Sequence, residues 1–233
     1  MTEGLLNNRE EFLNNISERL GRERKKQVVK PNWKYRPQWE ILKDATPIEL
    51  ASEFKKNSIE KTTAVIETTA SQLAKTLRGA ISQHSGGRVV TTKETRFTEY
   101  GLEPLMTESK AHVWNVEKGE ENIYIAKEAA VGVFFSDISL AESGTVVQFN
   151  DKDIARSVSL LPIAYIAIVP QSTIVPRMTQ ATQQIQQSVD SGKLLPTCIN
   201  FISGPSNSAD IEMNIVICVH GPIEALHIVV VDR

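Results

Sequence analysis

The spacing of hydrophobic and polar positions changes along the chain, and each spacing predicts an element. Near the amino terminus, apolar residues recur every three or four positions, which predicts a helix that Gly21 can end. These residues are Leu5, Leu6, Phe12, Leu13, Ile16 and Leu20. Further on, Thr46, Pro47 and Glu49 have the spacing of an N-cap, N1 and N3. They predict a second helix that extends through Lys56.

Short apolar runs and a helical segment alternate in the next part of the chain. Residues 62–67 (TTAVIE) predict a strand, and Thr69 can cap the helix that follows and ends at a Gly-Gly pair. Residues 88–91 and 112–116 predict two more strands. Such alternation is typical of parallel strands that are covered by helices.

The carboxy-terminal half contains more strands. Residues 129–149 contain at least two strand-like runs, and residues 163–170 (IAYIAIVP) predict a fully buried strand. Residues 173–192 predict a helix that begins or breaks at Pro176. Three apolar runs follow, CINFIS, MNIVICV and ALHIVVV. Because HGPIE is too short for a helical crossover, the last two should pair antiparallel. We therefore predict an α/β fold with a mixed, mainly parallel sheet and flanking helices.

Composition restricts the classes of function. The chain has 233 residues, 41% of them hydrophobic, and its net charge of −2 argues against nucleic acid as a partner. Its two cysteines, Cys198 and Cys218, cannot form a four-thiolate iron–sulfur cluster by themselves. The amino terminus lacks signal-peptide features, and no apolar run approaches the ~20 residues that cross a bilayer. We therefore expect a reduced, cytoplasmic protein with no membrane span.

Basic and aromatic residues are interleaved between Arg22 and Trp39. The basic residues are Arg22, Arg24, Lys25, Lys26, Lys30, Lys34 and Arg36, and the aromatic ones are Trp33, Tyr35 and Trp39. Such a segment can bind RNA or an anionic membrane. Pro31 and Pro37 instead favour an extended connector whose aromatic residues anchor it on its own or a neighbouring subunit's core. We predict that residues 1–43 form a helix and a basic aromatic arm, through which a homo-oligomer could form, and that residues 44–233 form the α/β domain.

Glu142 is the first candidate for chemistry. It precedes Ser143 and Gly144 at a predicted turn between strands, where glycine allows a ligand to approach closely. A positioned carboxylate can act as a nucleophile, a base or a metal ligand. An exposed turn residue without chemistry is the alternative. We take Glu142 as a candidate catalytic residue, and Ser143, Gly144 and Thr145 as candidate ligand-binding residues.

The stretch GPSNSADIE, residues 204–212, is the second candidate. Its backbone N–H groups and hydroxyls can form an anion cradle, while Asp210 and Glu212 would share one face of a strand. It matches neither a Walker loop nor a GxGxxG motif. We take Asp210 as a candidate catalytic residue. The candidate ligand-binding residues here are Gly204, Ser206, Ser208 and Glu212.

His220 is the third candidate, because it follows an apolar run and precedes Gly-Pro. Together with Asp210 and Glu212 it could bind a divalent metal ion. The spacing matches no standard zinc motif, so we assign neither a metal nor a cofactor to the chain. His227, inside an apolar strand, is interpreted as a structural histidine. All three candidates lie at strand boundaries, where ligands of α/β proteins usually bind.

Several blocks of the chain resemble, in order, those of the LUD-domain family of lactate-utilization proteins. They are AESGTVV, SLLPIAYIAIVP, the helix start near 174–176, GPSNSADIE and VHGPIEALHIVVVD. The resemblance covers roughly Asp44 to Asp232, and it implies a fold similar to the ribose-phosphate isomerase, glucosamine-phosphate deaminase and CoA-transferase group. It also implies a role with two iron–sulfur partner proteins in oxidising L-lactate to pyruvate.

Two neighbouring positions differ from the family pattern, and the first of them changes the expected chemistry. Family members commonly read GPSRTADIE, whereas this chain has Asn207 and Ser208 and so lacks a bidentate anion donor at this point. Arg156 or Arg177 could replace that donor for a small carboxylate ligand.

The resemblance leaves three functions open. The first is the non-cluster component of a cytoplasmic L-lactate oxidation system. The second is a stand-alone enzyme. Such an enzyme could transfer an acyl group or CoA through Glu142, whose turn is similar to the Glu-Asn-Gly turn of CoA transferases, or use metal-assisted chemistry through Asp210, Glu212 and His220. The third is a scaffold that docks a neighbour through its basic arm.

Overall fold

The computed structural model describes residues 7–25, 27, 29, 31–84, 87–211, 214–217 and 221–233, with side chains outside 208–217. The chain divides into two units, Met1–Pro37 and Gln38–Arg233. In the first unit, helix α1 spans Arg9–Arg19, and Phe12 on it is 64% exposed. In the arm, Trp33 and Tyr35 are also exposed.

The second unit contains the remaining helices and all of the strands described. Its α-helices are α2 Pro47–Glu60, α3 Ala70–Gln83, α4 Arg96–Glu99, α5 Glu103–Glu108, α6 Glu120–Lys127, α7 Ser157–Leu160 and α8 Met178–Asp190. Its strands are β1 Ala64–Thr68, β2 Arg88–Thr91, β3 His112–Val113, β4 Ala129–Phe135, β5 Ile138–Leu140, β6 Thr145–Asn150, β7 Ala164–Pro170, β8 Ile174–Val175, β9 Cys198–Ile202, β10 Asn207–Ile211, β11 Asn214–Ile217 and β12 Glu224–Val230. Short 3₁₀ turns occur at Pro37–Trp39, Val116–Lys118, Ala141–Ser143 and Gln171–Thr173.

Six strands form the central sheet in the order β1-β12-β7-β4-β2-β3, and all of its neighbouring strands pair in parallel. A second sheet has the order β8-β5-β6-β9 and is mainly antiparallel, while β10 and β11 form an antiparallel pair. The predicted α/β class, with a mainly parallel sheet and flanking helices, is confirmed.

The predicted antiparallel pairing of the last two apolar runs is wrong. Strand β11 pairs with β10, whereas β12 lies between β1 and β7 and is parallel to both. Every residue of β12 from His227 to Val230 is at most 1% exposed. A strand that is apolar on both faces belongs in the interior of a parallel sheet. Strands β11 and β12 therefore belong to different sheets.

Apolar residues cover both faces of the central sheet. On one face, Val131, Val133 and Phe135 of β4 pack with α3, α4 and α5. On the other face, Phe134 packs with α2 and with the inner side of the second sheet. Helix α8 contacts β5, and its Ala181 joins the apolar cluster formed by that second sheet. Every residue of β7 is buried, as the sequence predicts.

Two predicted helices have informative boundaries. Helix α2 begins at the predicted capping box, in which Thr46 and Glu49 bond reciprocally, but it continues to Glu60. Helix α8 begins at Met178 because Ile174 and Val175 pair with β5 as a short strand. Among the helices described, none is both long and apolar enough to cross a bilayer.

Candidate functional site

Glu142 lies on the 3₁₀ turn Ala141–Ser143, which connects β5 to β6. Its Oε2 lies 2.6 Å from Nε of Arg177, the residue at the N-cap of α8. The backbone N–H of Glu142 also donates to the carbonyl oxygen of Pro176, at 3.0 Å. The turn is therefore joined to the start of α8 by an ion pair and by a backbone hydrogen bond.

Gly144 fixes the same turn against α2. Its φ is +59°, and a Cβ at this position would lie 2.4 Å from the backbone nitrogen of Ser58. Only glycine fits such a close approach in this conformation without strain. Nδ2 of Asn57 donates to the carbonyl oxygen of Ala141 at 2.9 Å, so the last turns of α2 hold both sides of Glu142.

A row of hydroxyl groups connects this turn to the segment that follows β9. The hydroxyls of Ser143 and Thr145 lie 2.7 Å apart, and that of Thr145 lies 2.5 Å from the hydroxyl of Ser203. Next to Ser203, Gly204 has φ +76°, and a Cβ there would lie 2.5 Å from the carbonyl oxygen of Lys61. The structure thus brings Ser143, Gly144, Thr145 and Gly204 together at the carboxyl end of α2.

Ser206 lies two residues further along this segment. Its backbone N–H donates to the carbonyl oxygen of Pro222 at 2.8 Å, which joins the GPSNSADIE stretch to the residues that precede β12. Ser208 and Asp210 lie on the backbone of β10, and their side chains are outside the described part. Glu212 and His220 lie entirely outside the described residues. Their convergence with Glu142 stays a prediction.

His227 lies beneath this region and is fully buried. Its Nδ1 is 3.1 Å from the hydroxyl of Ser58, its Nε2 is 3.4 Å from the hydroxyl of Tyr165, and its ring stacks on Phe54. Burial away from water lowers the pKa of His227 to about 3, so the imidazole is neutral near pH 7. This agrees with its interpretation as a structural histidine.

Tyr165 connects His227 to Gly204, the first residue of the GPSNSADIE stretch. Its phenol oxygen forms hydrogen bonds with the Thr63 side chain and the Gly204 backbone, while burial raises its pKa above the ordinary value. The phenol therefore stays protonated and helps to fix Gly204 in place. A row of buried polar groups thus runs beneath the turn that carries Glu142.

The two arginines that could replace the family's anion donor differ in position. Arg177 contacts Glu142, whereas Arg156 is exposed at the N-cap of α7. In the described part of the chain, no three His, Cys, Asp or Glu side chains are arranged to hold a metal ion. The side chains that the sequence suggests as possible metal ligands, those of Asp210, Glu212 and His220, lie outside that part.

A second group of charged residues was not predicted from the sequence. Arg96 Nε lies 2.5 Å from Oε2 of Glu94, and Arg96 Nη2 lies 2.8 Å from Oδ1 of Asp137. Burial raises the pKa of both carboxyl groups above their ordinary values. Glu94 follows β2 and Asp137 follows β4. Charged residues shortly after the apolar runs 88–91 and 129–135 were the signal that could have identified them.

Comparisons with known proteins agree with the fold and indicate the family. A family model described as LUD domain matches residues 51–231. Lactate utilization protein C of Bacillus subtilis (strain 168) is 50% identical to the chain, and the alignment covers the whole of both chains. The protein of the same name from Macrococcus caseolyticus is 46% identical, again over the whole of both chains.

One solved structure supports the fold alone. A DUF162 family protein from Deinococcus radiodurans matches with a TM-score of 0.52 and 19% sequence identity. The match covers 80% of this chain and 99% of that protein.

Proposed function

The chain belongs to the LUD-domain family, and from this premise we propose that it is a component of a cytoplasmic system that oxidises L-lactate to pyruvate. One observation carries this proposal: the chain is 50% identical, over its full length, to a protein named Lactate utilization protein C. In the organism that encodes it, deletion of the chain should abolish growth on L-lactate and leave growth on glucose intact. Unchanged growth on lactate would refute the proposal.

In this system the chain acts beside two iron–sulfur partner proteins. Oxidation of lactate releases two electrons, and Cys198 and Cys218, the chain's only cysteines, are too few for a four-thiolate cluster. Electron transfer therefore falls to the partners. Affinity purification of the tagged full-length chain from lactate-grown cells should recover two proteins that contain iron and labile sulfide. Recovery of the chain alone would contradict this part of the proposal.

The proposed role of the Glu142 turn is to bind a small carboxylate such as lactate or pyruvate. Arg177 supplies a guanidinium group, which can bind a carboxylate bidentately, and the Glu142 carboxylate already occupies one side of it. An incoming carboxylate would exchange with Glu142 for Arg177, close to the hydroxyl of Ser143. Isothermal titration with L-lactate tests this step. Arg177→Gln should abolish the binding heat, and equal binding by the variant would rule Arg177 out.

A second function, acyl transfer by the purified chain alone, is favoured by the position of Glu142. The carboxylate is 38% exposed on a turn that α2 holds rigidly, so a thioester could reach it. The carboxylate would attack the thioester carbonyl, form an acyl–glutamyl anhydride and release the CoA thiolate. Mass spectrometry of the chain after incubation with acetyl-CoA tests this function. An adduct on Glu142 that is absent from Glu142→Gln would support it, and an unmodified chain would exclude it.

The arm is proposed to contribute to self-association. Trp33 and Tyr35 are exposed, whereas every buried apolar residue described lies within residues 38–233. A chain truncated to 38–233 should therefore keep the unfolding midpoint of the full chain but lose its oligomeric state, as measured by light scattering. The double substitution Trp33→Ser and Tyr35→Ser in the full chain should have the same effect. An oligomer that persists in both variants would show that the arm is not the contact.

A further inference from the structure

A cavity of about 740 Å³ opens at the carboxyl end of β2, and its lining contains no residue of the Glu142 turn. From β2 the chain continues to β3 on one side, and from β4, the neighbour of β2, it continues to β7 on the other side. The order of connections therefore reverses between β2 and β4. In open α/β sheets ligands bind at such a reversal, outside the carboxyl ends of the strands. The volume of this cavity is also within the range of small-molecule binding sites.

Glu94 is the buried acidic group of this cavity. Its side chain is only 6% exposed, and it accepts hydrogen bonds from the Thr92 hydroxyl and from Nε of Arg96. Arg96 is shared with Asp137, which also accepts from the backbone N–H of Phe149 at 2.6 Å. Two largely buried carboxylates thus share one guanidinium group. Because a carboxylate offers about four acceptor positions, Glu94 can accept further donors.

The lining of the cavity carries excess negative charge. Its charged side chains are one lysine and three acids, Lys93, Glu94, Glu103 and Asp153. Arg96 and Asp137, next to Glu94, add one charge of each sign. An anion such as lactate would be repelled here, whereas a cation would compensate the excess charge.

The rest of the lining combines apolar and hydroxyl-bearing side chains. Phe97 and Met106 are buried, and Val113 is exposed. The hydroxyl-bearing residues are Thr91, Thr92, Thr95, Thr98 and Thr107. An apolar surface beside a buried carboxylate fits a molecule with a hydrocarbon body and a cationic head.

We propose that this cavity binds a small organic cation whose ammonium group contacts Glu94 and whose hydrocarbon body packs on Phe97, Met106 and Val113. The proposal does not depend on the role in lactate oxidation, because it concerns different residues and a ligand of opposite charge. The bound ammonium supplies the donor and the positive charge that the carboxylates lack.

Three probes that share a hydrocarbon body and differ in head charge test the proposal: n-butylammonium, 1-butanol and butyrate. Each is titrated into the ¹⁵N-labelled full-length chain while amide resonances are recorded. Butylammonium should shift amides of residues 91–98 and 103–107 saturably, with a Kd at least tenfold below those of the other two probes. The preference should weaken with added salt. Equal affinities, or shifts confined to other regions, would overturn the proposal.

Two pairs of variants identify the groups that contact the probe. Glu94→Gln should raise the Kd for butylammonium about tenfold, whereas Glu99→Gln, which removes the same charge outside the lining, should leave it within twofold. A folded Glu94→Gln chain with unchanged Kd would refute the assignment. If Glu94→Gln does not fold, Thr107→Arg decides. Its added cation should weaken binding at least tenfold, whereas Thr107→Gln should not, and equal Kd values for these two variants would refute the proposal.

Discussion

The carboxylate of Glu142 lies 2.6 Å from Nε of Arg177, so an ion pair joins the β5–β6 turn to the start of α8. The two side chains are 38% and 22% exposed, and pairs with this much solvent contact contribute little to stability. Their geometry nevertheless holds a carboxylate and a guanidinium group at the turn that also carries the hydroxyl of Ser143. The pair can therefore be broken for a functional test without unfolding the chain.

We expect Glu142→Gln to abolish growth on L-lactate, because the neutral amide no longer holds the Arg177 guanidinium at the turn. The substitution should lower the free energy of unfolding by no more than about 1 kcal/mol. Complementation of the deletion strain and urea unfolding of the purified chain measure the two effects. Glu108→Gln is the matched control, because Glu108 also pairs with an arginine, Arg78, at 2.7 Å. The control should grow normally. Normal growth of Glu142→Gln would show that this carboxylate is dispensable.

Gly144→Ala should destabilise the chain strongly. The substitution forces a Cβ into the left-handed region at φ +59° and places it 2.6 Å from Cα of Ser58. Backbone strain of about 1 kcal/mol and overpacking of about 1–3 kcal/mol should add, which gives a loss of roughly 2–4 kcal/mol in urea unfolding.

Gly101→Ala separates these two contributions. Gly101 has φ +65°, but nothing lies within 4 Å of a Cβ built there. Its substitution should cost only the backbone strain of about 1 kcal/mol. Similar losses for the two variants would contradict close packing of the Glu142 turn on α2.

Elements that depend on the local sequence pattern could be predicted. Strand β7 could be predicted because nearly all of its residues are apolar, and the start of α2 because Thr46 and Glu49 form a capping box. The partners of β12 could not be predicted in this way. Its pairing with β1 joins residues more than 150 positions apart, and the short connection before it suggested a hairpin.

The candidate site was predictable only as separate segments. The Glu142 turn and the GPSNSADIE stretch were identified by their residue types, but the contact between Thr145 and Ser203 depends on the pairing of β6 with β9. Arg96 and Asp137 are 41 positions apart and meet because β2 and β4 are neighbours in the sheet. Proximity of this kind follows from strand order, which a single sequence does not contain.

Arg96→Met should lower the free energy of unfolding, because it removes the cation that two largely buried carboxylates share. Removal of the shared cation leaves Glu94 and Asp137 without a charged partner, and breaking a buried pair in this way costs about 3–5 kcal/mol at pH 7. Arg78→Met, which breaks the exposed pair with Glu108, should cost no more than about 1 kcal/mol.

The loss caused by Arg96→Met should be smaller at pH 5 than at pH 7. Burial already raises the pKa values of Glu94 and Asp137, and removal of Arg96 raises them further. A raised folded-state pKa stabilises the fold at low pH, and this stabilisation is lost as pH rises. Urea unfolding of the wild type and the variant at both pH values measures the difference. If Arg96→Met lowers the free energy of unfolding by the same amount at pH 5 and at pH 7, the two carboxyl groups do not change ionisation between these pH values.

His227 should make the stability of the whole chain depend on pH. Burial lowers its pKa from 6.5 to about 3, so between these values the unfolded chain binds a proton that the folded chain does not. The free energy of unfolding should therefore fall as pH is lowered from 7, by at most about 1.4 kcal/mol per pH unit. Between pH 7 and pH 5 the contribution of His227 amounts to about 2 kcal/mol.

His227→Gln isolates this contribution, because glutamine can still hydrogen-bond Ser58 or Tyr165 but does not titrate. At pH 7 the variant should be less stable than the wild type, because it loses the stacking on Phe54. Between pH 7 and pH 5, however, its free energy of unfolding should fall by about 2 kcal/mol less than that of the wild type. If His227→Gln keeps the wild-type pH dependence, a different group must bind the proton on unfolding. The neutral, buried state of His227 would then not account for a loss of stability at low pH.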